Sequence, residues 1–440
     1  MMKRSVQVGC RSQPGRSLVL VGLVATALTL PVMAQAQQSS NQPGTYAGYK
    51  TNTGGLEGPE GVTEQLSVDD IAVPGVLSFP KIEGFFKPWF DWKKRLNERT
   101  GLKLQLSYQT LYQRTNQDVP YQDAFGGRWQ IQGSWELLNR GGRNPGKLTF
   151  RIENRYLLQN GIPPSQLGYQ FGSVAPTGTG FSDFGTALTE LAWRQELMGG
   201  KLKFIVGKIS AISWYNVLAL SSSMRGFQNT AMQSSLSKPA PGRGIGFGFG
   251  YEFNPHFVMV AGIHDANAKT AENPFDTIGE KEFYKSVEFR YYPTTPDRWR
   301  WDQVRLQVWH QDALVAKGTP ASKGVTFAAS RLFDEKWYPF VLAGLSDGNA
   351  SVFKKDIVAG LGMGLNTRHR AAQDVLGLAV GWGDPSSDLL QQQTTAELFY
   401  RFQLVEHLAI TPSVQYVRNP AGNPAHNSAL VFGLRARITY

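Results

Sequence analysis

Arginine and glutamate side chains recur at every second position of one short segment of the chain. In "KLTFRIENRYLL" the residues Arg151, Glu153 and Arg155 form a plus–minus–plus series. Side chains two residues apart share one face of a β-strand, so this series predicts a charged ladder whose arginines lie about 13 Å apart. Guanidinium and carboxylate groups in such an array bind hydroxyls and acids through bidentate hydrogen bonds. The pattern favours recognition of a small polar solute.

The same alternation of polar side chains recurs along the chain. A long connection at 210–241 contributes aromatic rings as well. An aromatic face beside hydrogen-bonding groups suits a sugar, whose ring has an apolar face and a hydroxyl rim. The alternative is that the charges form a solvated face and that the connection is an exposed loop. The residues that we expect to line a solute path are Arg151, Glu153, Arg155, Glu190, Arg194, Trp214, Arg225, Glu288, Arg290, Arg305, Glu397 and Arg401, with Glu196, Arg435 and Arg437 as further inward charges.

Catalytic chemistry has a weaker basis in this sequence. The pair His264-Asp265 suggests a hydrolase, because some membrane barrels carry a serine–histidine pair, but a histidine at a strand end is more often an ordinary polar residue. The six histidines are scattered without metal-ligand spacing. We therefore expect no enzyme activity, no cofactor and no metal, and a barrel-embedded hydrolase that depends on His264 is the alternative from another class.

Sixteen segments of roughly ten residues alternate apolar and polar side chains from Leu102 to the C-terminus, as transmembrane barrel strands do. Some connections are tight, such as Gly199-Gly200, and others are long, notably 159–185. These features predict an all-β fold, a 16-stranded antiparallel transmembrane β-barrel, in preference to a soluble β-sandwich. The segments begin near Leu102, Arg128, Lys147, Thr186, Lys201, Arg243, His256, Lys281, Asp302, Gly324, Lys336, Lys354, Asp374, Thr394, His407 and Asn427.

Glycine occupies every second position of "PGRGIGFGFGY" at 241–251. This spacing does not match Gly-x-Gly-x-x-Gly, the pattern of a dinucleotide-binding loop, and its period of two is that of a strand. Ile245, Phe247 and Phe249 would then face lipid, and Gly246 and Gly248 would leave a flat inner wall that a folded-in loop could approach.

The N-terminal residues resemble a secretory signal peptide. Lys3, Arg4, Arg11 and Arg16 precede an apolar run, and Ala34-Gln35-Ala36 is a small-x-small cleavage site, which predicts residues 1–36 as the signal. Removal of these four basic residues lowers the formal charge from +11 to +7 and removes the only cysteine, Cys10. This mild charge, without basic runs, argues against nucleic acid as a partner.

The remaining chain divides into three parts. Residues 37–83 are rich in Gly, Ser, Gln and Pro and predict a flexible leader on the periplasmic side. Phe85, Phe86, Trp89 and Trp92 recur at helical spacing, which predicts a short N-terminal amphipathic helix at 84–100, packed on the barrel or at a membrane interface. The barrel is expected to occupy residues 101–440.

Several longer stretches are similar to the OprB-type carbohydrate-selective porin family. They are "WFDWKKRLNERTGLKL", "GKIS", "AGIHDANA", "WYPFVLAGLSDG", "VLGLAVGWGDPS" and "AELFYRFQLVEHLAITPSVQYVRNPAGNP", together with the arginine-bearing last strand. The resemblance implies a monomeric-type pore in a Gram-negative outer membrane, with a constriction narrowed by an inward-folded loop. It also implies passive uptake of sugars.

We therefore expect a porin that passes small hydrophilic solutes, preferably monosaccharides or polyols. Because basic residues outnumber acidic ones, a pore selective for small anions or organic acids is the alternative. The other expected partners are outer-membrane lipid and, through the C-terminal strand, the barrel assembly machinery.

Overall fold

Sixteen antiparallel strands close into a barrel in the computed structural model, which describes residues 56–69, 75, 77, 80–294, 298–364 and 374–440. The predicted fold class and strand number are confirmed, and each strand begins within about five residues of its predicted start. The predicted signal peptide lies outside the described residues. The strands are β1 Leu102–Thr115, β2 Asp123–Leu138, β3 Gly146–Leu157, β4 Gly185–Leu197, β5 Leu202–Ile209, β6 Gly244–Asn254, β7 Phe257–Asp265, β8 Phe283–Tyr291, β9 Gln303–Gln311, β10 Ser322–Ser330, β11 Trp337–Ser346, β12 Phe353–Gly364, β13 Val375–Pro385, β14 Gln393–Val405, β15 Leu408–Arg418 and β16 Ser428–Thr439.

Each strand pairs with its neighbours in sequence, and β1 also pairs with β16, for example Thr110 with Ala436. Sequential antiparallel pairing puts alternate connections at opposite ends of the barrel. The connections after β6 and β14 are two residues long, whereas those after β3 and β5 span 158–184 and 210–243 at the other end. Short turns at one end and long loops at the other are typical of outer-membrane barrels.

The two faces of the strands differ as the alternation predicted. On β6, Phe247 is 40% exposed, whereas Gly246 and Gly248 on either side of it are buried. On β9, Leu306 and Val308 are exposed, whereas Arg305 and Gln307 are buried. Apolar side chains therefore cover the outside of the barrel, and polar side chains point into its lumen.

The described residues contain four α-helices besides the strands: α1 Val62–Asp69, α2 Pro80–Thr100, α3 Pro164–Gln170 and α4 Thr230–Gln233. Single 3₁₀ turns occur at Met198–Gly200, Ala211–Ser213, Ile278–Glu280 and Val315–Lys317. Among the described residues, no helix is both long and apolar enough to cross a membrane.

Helix α2 lies at the end of the barrel that carries the short turns. It includes the predicted span 84–100 and ends at Thr100; the next residue, Gly101, has a φ of +78° and donates its backbone N–H to the Asn97 carbonyl. The Phe90 ring stacks on His407 with centroids 4.5 Å apart, and Phe86 lies 5.0 Å from Tyr440. The helix is thereby fixed to the turn after β14 and to the C-terminus.

Part of the predicted flexible leader is structured and lies inside the barrel. Residues 56–69, which we call the N-terminal insert, contain α1, and their side chains Val62 and Leu66 are almost fully buried. Gln65 accepts hydrogen bonds from Gln130 and Gln132 on β2. The leader prediction is therefore corrected for these residues, because a segment too polar to form its own core is stabilised here by a polar wall.

A stability prediction follows from Gly207 on β5, whose φ is +139°. A Cβ there would lie 2.3 Å from the backbone oxygen of Leu191 on β4. We expect Gly207→Ala to destabilise the barrel by about 1–3 kcal/mol, since both the conformation and the space exclude a side chain.

The measurement is denaturant unfolding in detergent micelles. Gly279→Ala is the matched control, because a Cβ at Gly279 would meet no atom within 4 Å. The control should stay within about 0.5 kcal/mol of the natural chain. Equal unfolding midpoints for the two variants would contradict this account of Gly207.

Candidate functional site

The charged ladder on β3 points into the lumen and is enclosed there. Arg155 donates two hydrogen bonds to the Glu153 carboxylate, at 3.0 and 2.6 Å, and the Arg151 Nε lies 3.9 Å from the same carboxylate. Arg243, at the end of the loop 210–243, lies 3.8 Å from it as well. Glu153 therefore has three guanidinium groups around it, and its charge is compensated although its side chain is fully buried.

A second cluster forms on β4. The Arg194 guanidinium lies 3.0 Å from the Glu190 carboxylate and 2.5 Å from Glu57 of the N-terminal insert. Thr149 on β3 donates its hydroxyl to Glu190 at 3.0 Å. Two of the predicted residues are thus held together, and the third partner, Glu57, comes from a segment in which the sequence gave no sign of a site.

A third cluster joins β8 and β9. Arg290 donates its Nε–H to Glu288 at 2.7 Å, and a terminal nitrogen of Arg305 lies 3.3 Å from the same oxygen. All three side chains are at most 1% exposed. Arg290 also donates to the backbone oxygen of Trp214 at 2.7 Å, so this wall cluster is in direct contact with the loop 210–243.

Residues 210–243, which we call the pore loop, cross the lumen. The loop donates the Asn216 N–H to Glu288 on β8 at 2.6 Å. Its Ser223 carbonyl accepts a hydrogen bond of 2.6 Å from Arg435 on β16. In a ring of sixteen strands β8 and β16 lie opposite each other, so the loop spans the barrel. The expectation of an inward-folded loop corresponds to this arrangement.

Two further wall carboxylates bind the backbone of the pore loop. Glu397 on β14 accepts the N–H groups of Gln228 and Asn229, at 2.7 and 2.8 Å. Asp356 on β12 accepts the hydroxyls of Ser235 and Ser237, at 2.7 and 2.5 Å. Hydrogen bonds to a carboxylate are among the strong ones in proteins. Glu397 is therefore an anchor of the loop, and Asp356 is an anchor that sequence reasoning missed.

An apolar cluster inside the lumen adds to these anchors. Phe227 of the pore loop is fully buried and packs edge-to-face on Phe399 of β14, with centroids 4.9 Å apart, and lies 5.7 Å from Phe340 of β11. The sequence contains a signal for this cluster, because Phe399 stands between Glu397 and Arg401 in the polar register. The lumen is therefore apolar on one side, which the charge pattern did not predict.

The glycine-lined wall receives side chains of the pore loop. A Cβ at Gly248 would lie 2.8 Å from the Trp214 ring, and one at Gly362 would lie 2.8 Å from Leu220. Trp214 is only 1% exposed, so the expectation that it presents a stacking face to solutes is corrected. The Trp214 ring occupies the space that Gly248 leaves free, and this contact holds the pore loop against the wall.

Described residues beside the N-terminal insert line two of the cavities in the lumen. The first, of about 210 Å³, is lined by the predicted residues Arg225 and Arg401 and by the aromatic side chains Trp301 and Tyr338. The second, of about 220 Å³, is lined by Arg194. The other predicted residues lie in the contacts between the wall and the inserted segments, outside the lining of both cavities. They are Arg151, Glu153, Arg155, Glu190, Trp214, Glu288, Arg290, Arg305 and Glu397.

His264, the residue that suggested hydrolysis, is buried on β7. Its Nε2 lies 3.3 Å from the hydroxyl of Tyr215 in the pore loop. This contact helps to hold the pore loop against β7. Among the described residues, no group of three or more His, Cys, Asp or Glu side chains is arranged to hold a metal ion.

Comparison with known proteins agrees with this architecture. The family described as "Carbohydrate-selective porin, OprB family" matches residues 322–440, from β10 to the last residue. Porin AaxA of Chlamydia felis is 23% identical over 319 residues, which cover 70% of this chain and 69% of that protein. The high-pH structure of Pseudomonas putida OprB superposes with a TM-score of 0.65 at 16% identity, covering 80% of this chain and 97% of that one.

A more distant structure, a triple mutant of the Rhodopseudomonas blastica porin, has a TM-score of 0.50 at 11% identity and covers 77% of this chain and all of that one. The closed barrel and these matches define the protein as a transmembrane β-barrel porin. Its resemblance to the OprB family is confirmed over residues 322–440.

A loop-anchoring prediction follows from Asp356. We expect Asp356→Ala to loosen the pore loop, because the change leaves the buried hydroxyls of Ser235 and Ser237 without their acceptor, at about 1–3 kcal/mol per group. Limited proteolysis in detergent should then cleave within 210–243 several times faster, and single-channel current should become noisier.

Asp388→Ala is the control for this experiment. Asp388 forms an exposed ion pair with Lys354 at 3.2 Å, and such surface pairs contribute little. Cleavage of the Asp356→Ala protein at the rate of this control would show that Asp356 does not anchor the loop.

Proposed function

We propose that this porin lets small hydrophilic solutes diffuse across the outer membrane and prefers carbohydrates. The observation that carries the proposal is the first cavity, in which aromatic and cationic side chains are combined. Trp301 and Tyr338 meet edge-to-face with centroids 5.4 Å apart, beside Arg225 and Arg401. A sugar ring can place its apolar face on the half-buried Trp301 ring, which Tyr338 holds from the side, and donate or accept hydrogen bonds at its rim.

The size of the cavity supports a small solute. A volume of about 210 Å³ is below the range of about 300–1,000 Å³ typical of sites for larger ligands. This volume fits a monosaccharide or polyol better than an oligosaccharide. The name of the matched family points to the same class of solute.

The other predicted charged residues affect the solute path indirectly, because they hold the pore loop in place. Glu288 and Glu397 bind the backbone of the pore loop, and Arg290 binds its Trp214 carbonyl. In this proposal they set the width of the pore and do not touch the solute. Arg155, with its ion pair to Glu153, lies in the lumen wall on β3, the strand that enters the loop 158–184.

A small anion is the second candidate solute, and one observation favours it. The first cavity is lined by five cationic side chains and three carboxylates; the cations are Arg225, Arg300, Lys336, Arg401 and Arg437. A lumen with an excess of one charge concentrates the opposite ion. Reversal potentials under a salt gradient separate the candidates, since an anion pore favours chloride and ignores glucose, whereas a sugar pore is blocked by glucose.

The sugar prediction concerns Trp301. We expect Trp301→Ala to weaken block of single-channel current by glucose about three- to tenfold, because a stacking face is lost. Ion selectivity should change little, since no charge is removed. The readout is a glucose titration in planar bilayers.

Trp337→Ala provides the control, because Trp337 lies on the outer face of β11 and is 39% exposed. Its removal should leave glucose block unchanged. The proposal fails if glucose does not block the natural chain and does not swell liposomes that contain it. Equal block in both tryptophan variants would exclude Trp301 from the sugar path.

A further inference from the structure

The N-terminal insert carries three glutamates that bind separate parts of the barrel. Glu57 pairs with Arg194 at 2.5 Å, and Glu64 pairs with Arg300 beyond the end of β8. Glu60 accepts hydrogen bonds from the backbone N–H and the hydroxyl of Ser223 in the pore loop, at 2.7 and 3.0 Å. Ion pairs and charge-assisted hydrogen bonds therefore hold the insert in the lumen.

Apolar and backbone contacts complete its seat. Leu56 lies against the glycine face of β6, where a Cβ at Gly250 would be 2.0 Å from its side chain. The Gly58 N–H donates to the carbonyl of Ser213 in the pore loop at 2.7 Å. Because Val62 and Leu66 are buried as well, apolar contacts also hold the insert in the lumen.

The insert occupies a part of the lumen next to the pore loop. The insert contacts β2, β3, β4, β6 and β8. The pore loop contacts β8 as well as the wall from β11 to β16, and it meets the insert at two points, Ser213 with Gly58 and Ser223 with Glu60. Glu64 lines both cavities, so the insert lies between them. The insert therefore occupies part of the lumen through which a solute would pass.

We propose that residues 56–69 form an acidic gate, which closes the pore while its glutamates are bound and exposes the lumen arginines when it withdraws. The inference rests on the proposed function only in so far as the barrel conducts solutes. It assigns a selectivity role to the insert as well, because withdrawal leaves Arg151, Arg194 and Arg300 without the insert's carboxylate and carbonyl oxygens.

The ionisation of Glu60 is consistent with binding by charge, whereas burial raises the pKa of Glu64 despite its pairing with Arg300. Burial alone would raise the pKa of Glu60, but the guanidinium groups of Arg128 and Arg151 hold it below its ordinary value. Glu60 is therefore ionised at neutral pH. A glutamine at this position would keep the shape of the side chain and lose the charge.

The test replaces the three glutamates together, as Glu57→Gln, Glu60→Gln and Glu64→Gln. In planar bilayers we expect the conductance of the variant to rise about two- to threefold, and its chloride-over-potassium permeability ratio to rise by a similar factor. The matched control removes three exposed carboxylates, as Glu98→Gln, Glu272→Gln and Glu280→Gln, and should change neither quantity. Values equal to those of the control would overturn the proposal.

A disulfide provides a second test that does not depend on charge. A Cβ at Gly58 would lie 2.9 Å from the Cβ of Val217, and a disulfide needs about 3.5–4.5 Å, so a small shift lets Gly58→Cys and Val217→Cys join. The oxidised form should conduct several times less than the reduced form. Equal conductance, with the disulfide verified by mass, would show that the insert does not have to move.

Failure of the gate and failure of the proposed function give different results. If the pore does not accept sugars, glucose neither blocks nor permeates any variant, but the ion measurements still decide the gate. If the gate is wrong, the glutamine variant and the oxidised variant conduct like their references while glucose block persists.

Discussion

The ladder between β1 and β16 closes the sheet, and everything inside the barrel depends on that closure. In lipid each unpaired backbone group costs several kcal/mol, so a spanning sheet can have no free edge. Closure pairs Thr110 with Ala436 and the residues around them, and it encloses a lumen that water alone would otherwise fill. A segment that enters this lumen leaves bulk water and must find partners for its own backbone.

The wall supplies those partners as carboxylates. Glu288, Asp356 and Glu397 each accept at least one backbone N–H of the pore loop. These side chains supply hydrogen-bond acceptors to the backbone of an irregular loop, as a neighbouring strand supplies them to the backbone of a strand. These acids are buried, and a buried charge is costly unless it is paired or hydrogen-bonded. The same contacts therefore compensate the acids and fix the loop.

Much of the architecture was predictable from the sequence, whereas the contents of the lumen were not. The period-two alternation predicted sixteen strands and which side chains point inward, because the pleat forces alternate residues to opposite faces. The same alternation did not predict that Trp214 would be buried against Gly248, or that Phe227 would meet Phe399, since these contacts join segments far apart in the chain. The composition of residues 56–69 predicts only a flexible leader, because it does not encode the polar wall that binds them.

The sequence by itself therefore determined the class of the protein, the number of its strands and the polarity of its two faces. These properties follow from local repetition, which each strand expresses independently of the others. Only the tertiary structure decided which charges meet, for example Arg194 with Glu57 and Arg435 with the Ser223 carbonyl. The reason is geometric: closure of the ring brings opposite strands within reach of one loop and one N-terminal segment, and no spacing along the chain encodes that distance.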